Sequence, residues 1–215
     1  MLPQPPGAYP PAPAEPPIEI HEDFELLAPG QAMPGWQLMA ASRNENAEVT
    51  AETGAGGSKH SLKFKDGPGG ATYFPHLVQY LTHKTGVIRI AFDLRVEPGA
   101  RPSFESRDND PWYTTGVSLD VTEDGSLKSG AKSLLKVPFS EWFHIEMTGG
   151  VGSDSTGKYR LSVMLPGDTA PRVFDDLPYR KGFKTLGWVG FSAMTQKTNT
   201  FYVDNFVLER VKGAK

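Results

Sequence analysis

At 215 residues the chain allows one large domain or two small ones, and the absence of cysteine excludes a disulfide scaffold, a thiol nucleophile and a Cys-ligated zinc. A net charge of −3 with no run of Lys or Arg speaks against a nucleic-acid or anionic-membrane partner. No apolar run approaches the ~18 residues of a membrane span, and the N-terminus lacks the basic-then-apolar pattern of a secretory leader.

Residues 1–17 contain eight prolines. A segment so poor in amide donors and core-forming residues is expected to be extended and semi-rigid, a spacer tethering one module to another. Ordered structure is expected from Ile18 to about residue 211, with 212–215 as a tail. Strands are expected near 18–25, after Trp36, and near 47–53, 60–66 and 72–81. Pro75 marks the last of these as an edge or bulged strand.

The central stretch is Gly86–Asp108. From Val87 to Val96, Ile88, Ile90, Phe92, Leu94 and Val96 alternate with Arg89, Ala91, Asp93 and Arg95. Such alternation marks a strand with one buried and one wet face. Glu97–Arg101 is turn chemistry, and Pro102–Arg107 reads as a returning strand of the same hairpin. A three-residue loop, Gly99–Arg101, pairs Asp93 with Arg107 and Arg95 with Glu105, and stacks Val96 on Phe104. A five-residue loop sets Asp93 against Glu105, a like-charge pair. A salt-bridge lattice, glycan contacts and catalysis are all open for this face.

Thr115–Val121 and the tight turn Glu123–Gly125 follow, then strands near 133–137, 141–148, 158–165, 172–174, 187–194 and 200–209. Gly149–Gly157 reads as a flexible connection and Arg180–Leu186 as the one place for a helical turn. About a dozen strands without an amphipathic helix predict an all-β fold, two antiparallel sheets packed as a jelly-roll sandwich.

The opening His21–Glu25, the turns Pro29-Gly30 and Pro34-Gly35-Trp36, and the closing Phe201–Leu208 resemble concanavalin A-like (laminin-G/glucanase-type) jelly-roll modules of secreted multidomain bacterial proteins. The resemblance implies a glycan-related, extracytoplasmic setting. Relatives that cleave β-glucans carry a Glu-x-Asp-x-(x)-Glu strand, which is missing here, as are the Arg/Gln-His/Tyr signatures of alginate lyases. Related jelly rolls tie the first strand to the last through calcium, and the matching acids are Glu22 or Asp23 with Asp204; backbone capping of Asp204 is the alternative.

No His spacing suits a metal, no serine sits in a nucleophile elbow, and Asp66–Gly70 lacks the rest of a phosphate loop. Sugar faces want flat rings framed by planar polar groups. The loop Arg107, Asp108, Asn109, Asp110, Pro111, Trp112 and Tyr113 has that composition, although Trp112 alternatively only pins its own loop. Trp36, Trp142 and Trp188 follow strand patterning and read as core. The chain thus reads as a non-catalytic, secreted carbohydrate-binding module. The alternatives are a divergent hydrolase or lyase using Asp93, Glu105, Asp108 or Asp110, and a laminin-G-like structural or protein-interaction module.

Overall fold

The computed structural model describes residues 19–40, 44–68, 71–108 and 114–211. Its strands in chain order are β1 (Glu19–Glu22), β2 (Gln37–Met39), β3 (Asn46–Thr50), β4 (Ser61–Asp66), β5 (His76–His83), β6 (Gly86–Val96), β7 (Pro102–Arg107), β8 (Thr115–Val121), β9 (Ser126–Ser129), β10 (Lys132–Lys136), β11 (Trp142–Val151), β12 (Lys158–Met164), β13 (Arg172–Pro178), β14 (Leu186–Ala193) and β15 (Asn199–Val211). They form two antiparallel sheets. One runs β13-β12-β11-β6-β15-β4-β3, with β1 also on β15, and the other runs β10-β9-β8-β7-β14-β5-β2. The expected all-β sandwich is the fold.

The alternation in β6 does what it predicts: Ile88, Ile90, Phe92, Leu94 and Val96 are buried. The hairpin is not formed, however. β6 pairs with β11 and β15, whereas β7 pairs with β14 and β8, so residues 97–101 carry the chain from one sheet to the other. Gly99 takes φ +85° in that crossing, a conformation open to glycine, and Ala100 is fully buried beneath it. Alternation marks a buried face without saying which neighbour covers it, and a strand pair joined across a sandwich has the same pattern as a hairpin. Phe104 therefore meets β6 through the core: its ring lies 5.1 Å from Phe92, and both lie 5.0 Å from Phe191 of β14. Phe206 adds a further ring 6.0 Å from Phe191. This aromatic cluster joins the two sheets.

The pairs Asp93–Arg107 and Arg95–Glu105 do not exist, because their members stand on different sheets. The charges are neutralised locally, with other partners. Arg89 bridges Glu146 and Glu209, Arg95 meets Glu97, Asp93 meets His144, and Arg107 meets Glu105 on its own strand.

Two smaller expectations are also corrected, and one holds in part. β5 begins just after Pro75 and is the bulged strand expected, with a register shift against β14 between Tyr80 and His83, while β2 covers it only over His76–Val78. Gly149–Val151 extends β11 rather than forming a loose connection. The Arg180–Leu186 segment makes a turn, Phe183 N–H to Arg180 O at 3.1 Å, and no helix.

Candidate functional site: a groove across the seven-stranded sheet

The outer face of the seven-stranded sheet is set by register. Phe104, Phe191, Leu77 and Leu119 point into the core, so their neighbours point out. One outward row runs His76, Ser192, Ser103, Asp120 and Lys128 across β5, β14, β7, β8 and β9. The next runs Val78, Gly190, Glu105 and Ser118, and a third runs Tyr80, Trp188, Arg107 and Thr115.

Two depressions follow these rows. The first, about 440 Å³, is lined by Tyr73, His76, Ser103, Glu105, Arg107, Asp120, Trp188 and Ser192 among others. The second, about 510 Å³, is lined by Glu105, Arg107, Thr115, Ser118, Lys132, Tyr179 and Arg180 among others. They share Glu105 and Arg107, so together they make one groove crossing the strands.

Trp188 forms the floor of the first depression. The Arg107 guanidinium lies 5.2 Å above its ring, and the His76 ring meets it edge-on at 5.5 Å. Gly190 beside it leaves the room this needs, since a Cβ there would stand 2.8 Å from Val78 and 3.1 Å from the indole. Tyr73, half exposed, continues the aromatic surface 6.3 Å from His76. Burial, helped by the nearby Arg107 charge, pushes the His76 pKa down to about 4, so this imidazole is neutral at physiological pH. Both Arg107 Nε and Nη2 donate to one Glu105 oxygen, at 2.9 and 2.5 Å.

The second depression is walled by Tyr179, whose ring stacks on Tyr159 at 5.5 Å, and Tyr159 in turn shares a 2.6 Å hydrogen bond with Ser129. Burial raises the Tyr159 pKa to about 12, so the phenol stays protonated. Lys132 and Arg180 stand exposed at this end without an ion pair among the described residues.

Of the loop residues expected to bind sugar, Arg107 lies in the groove. Asp108 is 1% exposed, and its carboxylate accepts the Lys184 N–H at 3.1 Å, so it ties the loop base to the sandwich. Asn109, Asp110, Trp112 and Tyr113 lie outside the described residues. Their loop leaves from Arg107 and returns at Thr115, two groove-lining positions.

Trp188, expected in the core, is buried at 6% exposure, but on the outer face of its sheet beneath Arg107 and His76 rather than between the sheets. The run LGWVGFSA is apolar at nearly every position, so it offers no alternation from which to tell its two faces apart. Trp36 does pack inward, edge-on to Phe206 at 5.2 Å. Trp142 sits half-buried on the outer face of the other sheet, donating to Thr53 at 3.1 Å. Among the alternative catalytic acids, Asp93 belongs to that other sheet, held by His144 at 2.7 Å and Asn205 at 2.7 Å, so it makes no pair with Glu105.

Of the acids expected to hold calcium, Asp204 and Asp23 accept backbone N–H groups. Asp204 is fully buried, but its two oxygens accept the N–H groups of Ala55 and Asn205 at 2.8 and 2.7 Å. Asp23 accepts from the Glu25 N–H at 3.1 Å. Among the described residues no three His, Asp or Glu side chains gather as a metal site. Asn205, at φ +49° in the bulge of β15, is what turns the Asp204 carboxylate toward the 51–60 loop.

No protein-family model matches the chain, and no curated protein does. Solved structures do. The cellulose-induced protein Cip1 superposes with a TM-score of 0.62 at 15% identity, over 92% of this chain and 100% of its own. An endo-β-1,4-glucuronan lyase from the fungus Trichoderma reesei gives 0.58 at 11% identity, over 89% and 95%. A PL-14 alginate lyase from Aplysia kurodai gives 0.55 at 12% identity, over 77% and 87%. The likeness is one of fold. At these identities it assigns no residue a role.

Proposed function

We propose that the groove on the seven-stranded sheet binds a polysaccharide chain, and that this domain is a carbohydrate-binding module. The observation that carries the reading is the continuous groove itself. It sets the half-exposed Tyr73 ring, and the Trp188 ring buried beneath Arg107 and His76, beside planar and hydroxyl groups from Arg107, Glu105, Ser103 and Ser118, the combination that sugar faces and hydroxyls require. The lyases and the cellulose-induced protein that share the fold support the polysaccharide class. A secreted parent protein, tethered through residues 1–17, belongs to the same reading.

Binding is favoured over turnover by the state of the charges. A lyase needs a cation on the substrate carboxylate beside its base; the unpaired cations, Lys132 and Arg180, line the other depression, and the cation beside neutral His76, Arg107, already serves Glu105. Hydrolysis has one observation in its favour: Glu105 and Asp120 are diagonal neighbours on β7 and β8, a placement about 7–8 Å apart on a sheet face. That is near the separation used by inverting glycosidases, about 6.5–9.5 Å.

Affinity electrophoresis over a panel of plant, fungal and algal polysaccharides, run beside assays for reducing ends and unsaturated uronates, tests the reading. Binding in the micromolar-to-millimolar range without product is expected, and Tyr73→Ala, at a half-exposed ring, weakens it about ten-fold at unchanged melting temperature. Product formation that Glu105→Gln and Asp120→Asn abolish would replace the binding module with a hydrolase. Retention by no polysaccharide would end the carbohydrate reading.

A further inference from the structure

The two halves of the groove differ in charge. The half nearer Trp188 holds Arg107, Glu105 and Asp120, and Asp120 stands opposite Lys128 in register. Among the described residues, the other half holds three cations, Arg107, Lys132 and Arg180, against one acid, Glu105. Glu105 is committed to Arg107 by two hydrogen bonds. What remains uncompensated is Lys132 from edge strand β10 and Arg180 just beyond β13, on elements that belong to different sheets yet line one depression. The chain as a whole is acidic, with a net charge of −3, so this end is positive against the background of the molecule rather than because of it. Uncompensated cations lining a cleft attract and orient an anion there.

We infer that the groove selects anionic glycans, with Arg180 and Lys132 receiving the acid group of one sugar while the half-exposed Tyr73 ring at the Trp188 end stacks on another. The inference rests on the groove being a polysaccharide site, and it adds the substrate class and the direction in which the chain lies. Carboxylate and sulfate ester share the chemistry required. The guanidinium fork of Arg180 matches a planar carboxylate in two parallel hydrogen bonds, which favours a uronate. The floor between the ends is neutral or internally paired, so a chain with an acid group on every residue places one acid at the cations and lays the next rings across Ser118, Glu105–Arg107 and Trp188. A neutral chain gains only the stacking.

The test is titration of the full chain with three polymers: a polyuronate, the same polymer with its carboxyl groups reduced to alcohols, and a sulfated glycan. The polyuronate is expected to bind at least ten-fold more tightly than its reduced form, and its affinity should fall as salt rises from about 0.05 to about 0.5 M, where exposed charges are screened. Arg180→Ala and Lys132→Ala, at exposed positions where folding is not at stake, should each weaken the acidic polymer about two- to five-fold, as exposed charge contacts do. Both should leave the reduced polymer's affinity unchanged. Tighter binding of the sulfated glycan, with the same response to both substitutions, would make sulfate the acid group. Equal affinity for acidic and reduced polymers, or indifference to both substitutions, would overturn the inference while leaving the groove as a neutral-glycan site. Failure of all three polymers, with no other glycan retained, would remove the underlying reading as well.

Discussion

A buried carboxylate and a half-buried imidazole make opposite demands on the fold as pH changes. Asp204 is stripped of water and lies near Asp93, and its pKa rises from 3.8 to about 6 despite the two N–H groups it accepts. The folded chain therefore takes up this proton before the unfolded chain does. The resulting stabilisation is complete below about pH 4 and is lost as pH rises through about 6. His76 moves the other way, from 6.5 to about 4. Its contribution is present above about pH 6.5 and is lost as pH falls through about 4. Each is worth on the order of 3 kcal/mol, so the two largely offset one another between pH 4 and 6. Single variants should expose them. Asp204→Asn should lose stability more steeply than the parent as pH falls through this window, and His76→Gln less steeply, in urea titrations at a series of pH values. Parallel curves for all three proteins would contradict the assignment. The same carboxylate bears on calcium. With both Asp204 oxygens held by backbone donors, the melting midpoint is expected to be the same with added calcium and with chelator, and a rise with calcium would restore a metal to this site.

At the scale of strands, most of the sandwich is readable from the chain, because strands with one wet face write their alternation into the sequence, as β6 and β8 do. What is not readable is which strand lies beside which. The β6–β7 segment has every local mark of a hairpin, and only the burial of Ala100 and the meeting of Phe92 with Phe104 across the core show it to be a crossing between sheets. The consequence for the site is direct. Sending β7 to the other sheet takes Glu105 and Arg107 away from Asp93 and Arg95 and places them between Trp188 and Ser118. Trp188 itself was hidden by an apolar strand whose two faces look alike in sequence. A double-mutant cycle separates the two arrangements. Asp93→Asn and Arg107→Ala should be additive within about 0.5 kcal/mol, as independent sites are. Arg89→Ala and Glu146→Ala, joined at 2.7 Å, should show coupling. Coupling between Asp93 and Arg107 would mean that the hairpin forms after all.

Taken as a whole, the molecule has one sheet whose outer face is closed by paired charges and another whose outer face is hollowed into a groove. On the first, Arg89, Asp93 and Arg95 all have partners. On the second, Gly190 withholds a side chain, Trp188 supplies a ring, and Lys132 and Arg180 are left without counter-ions among the described residues. That asymmetry is the physical basis for placing a glycan on the second sheet. Three tryptophans sample the alternatives separately: Trp188 beneath the groove, Trp142 on the opposite sheet and Trp36 in the core. Their indole N–H resonances, followed by NMR while an acidic oligosaccharide is titrated in, report which surface is used. The groove account predicts that the Trp188 signal shifts and saturates with the binding curve while Trp142 and Trp36 stay still; a shift confined to Trp142, with Trp188 unmoved, would contradict it.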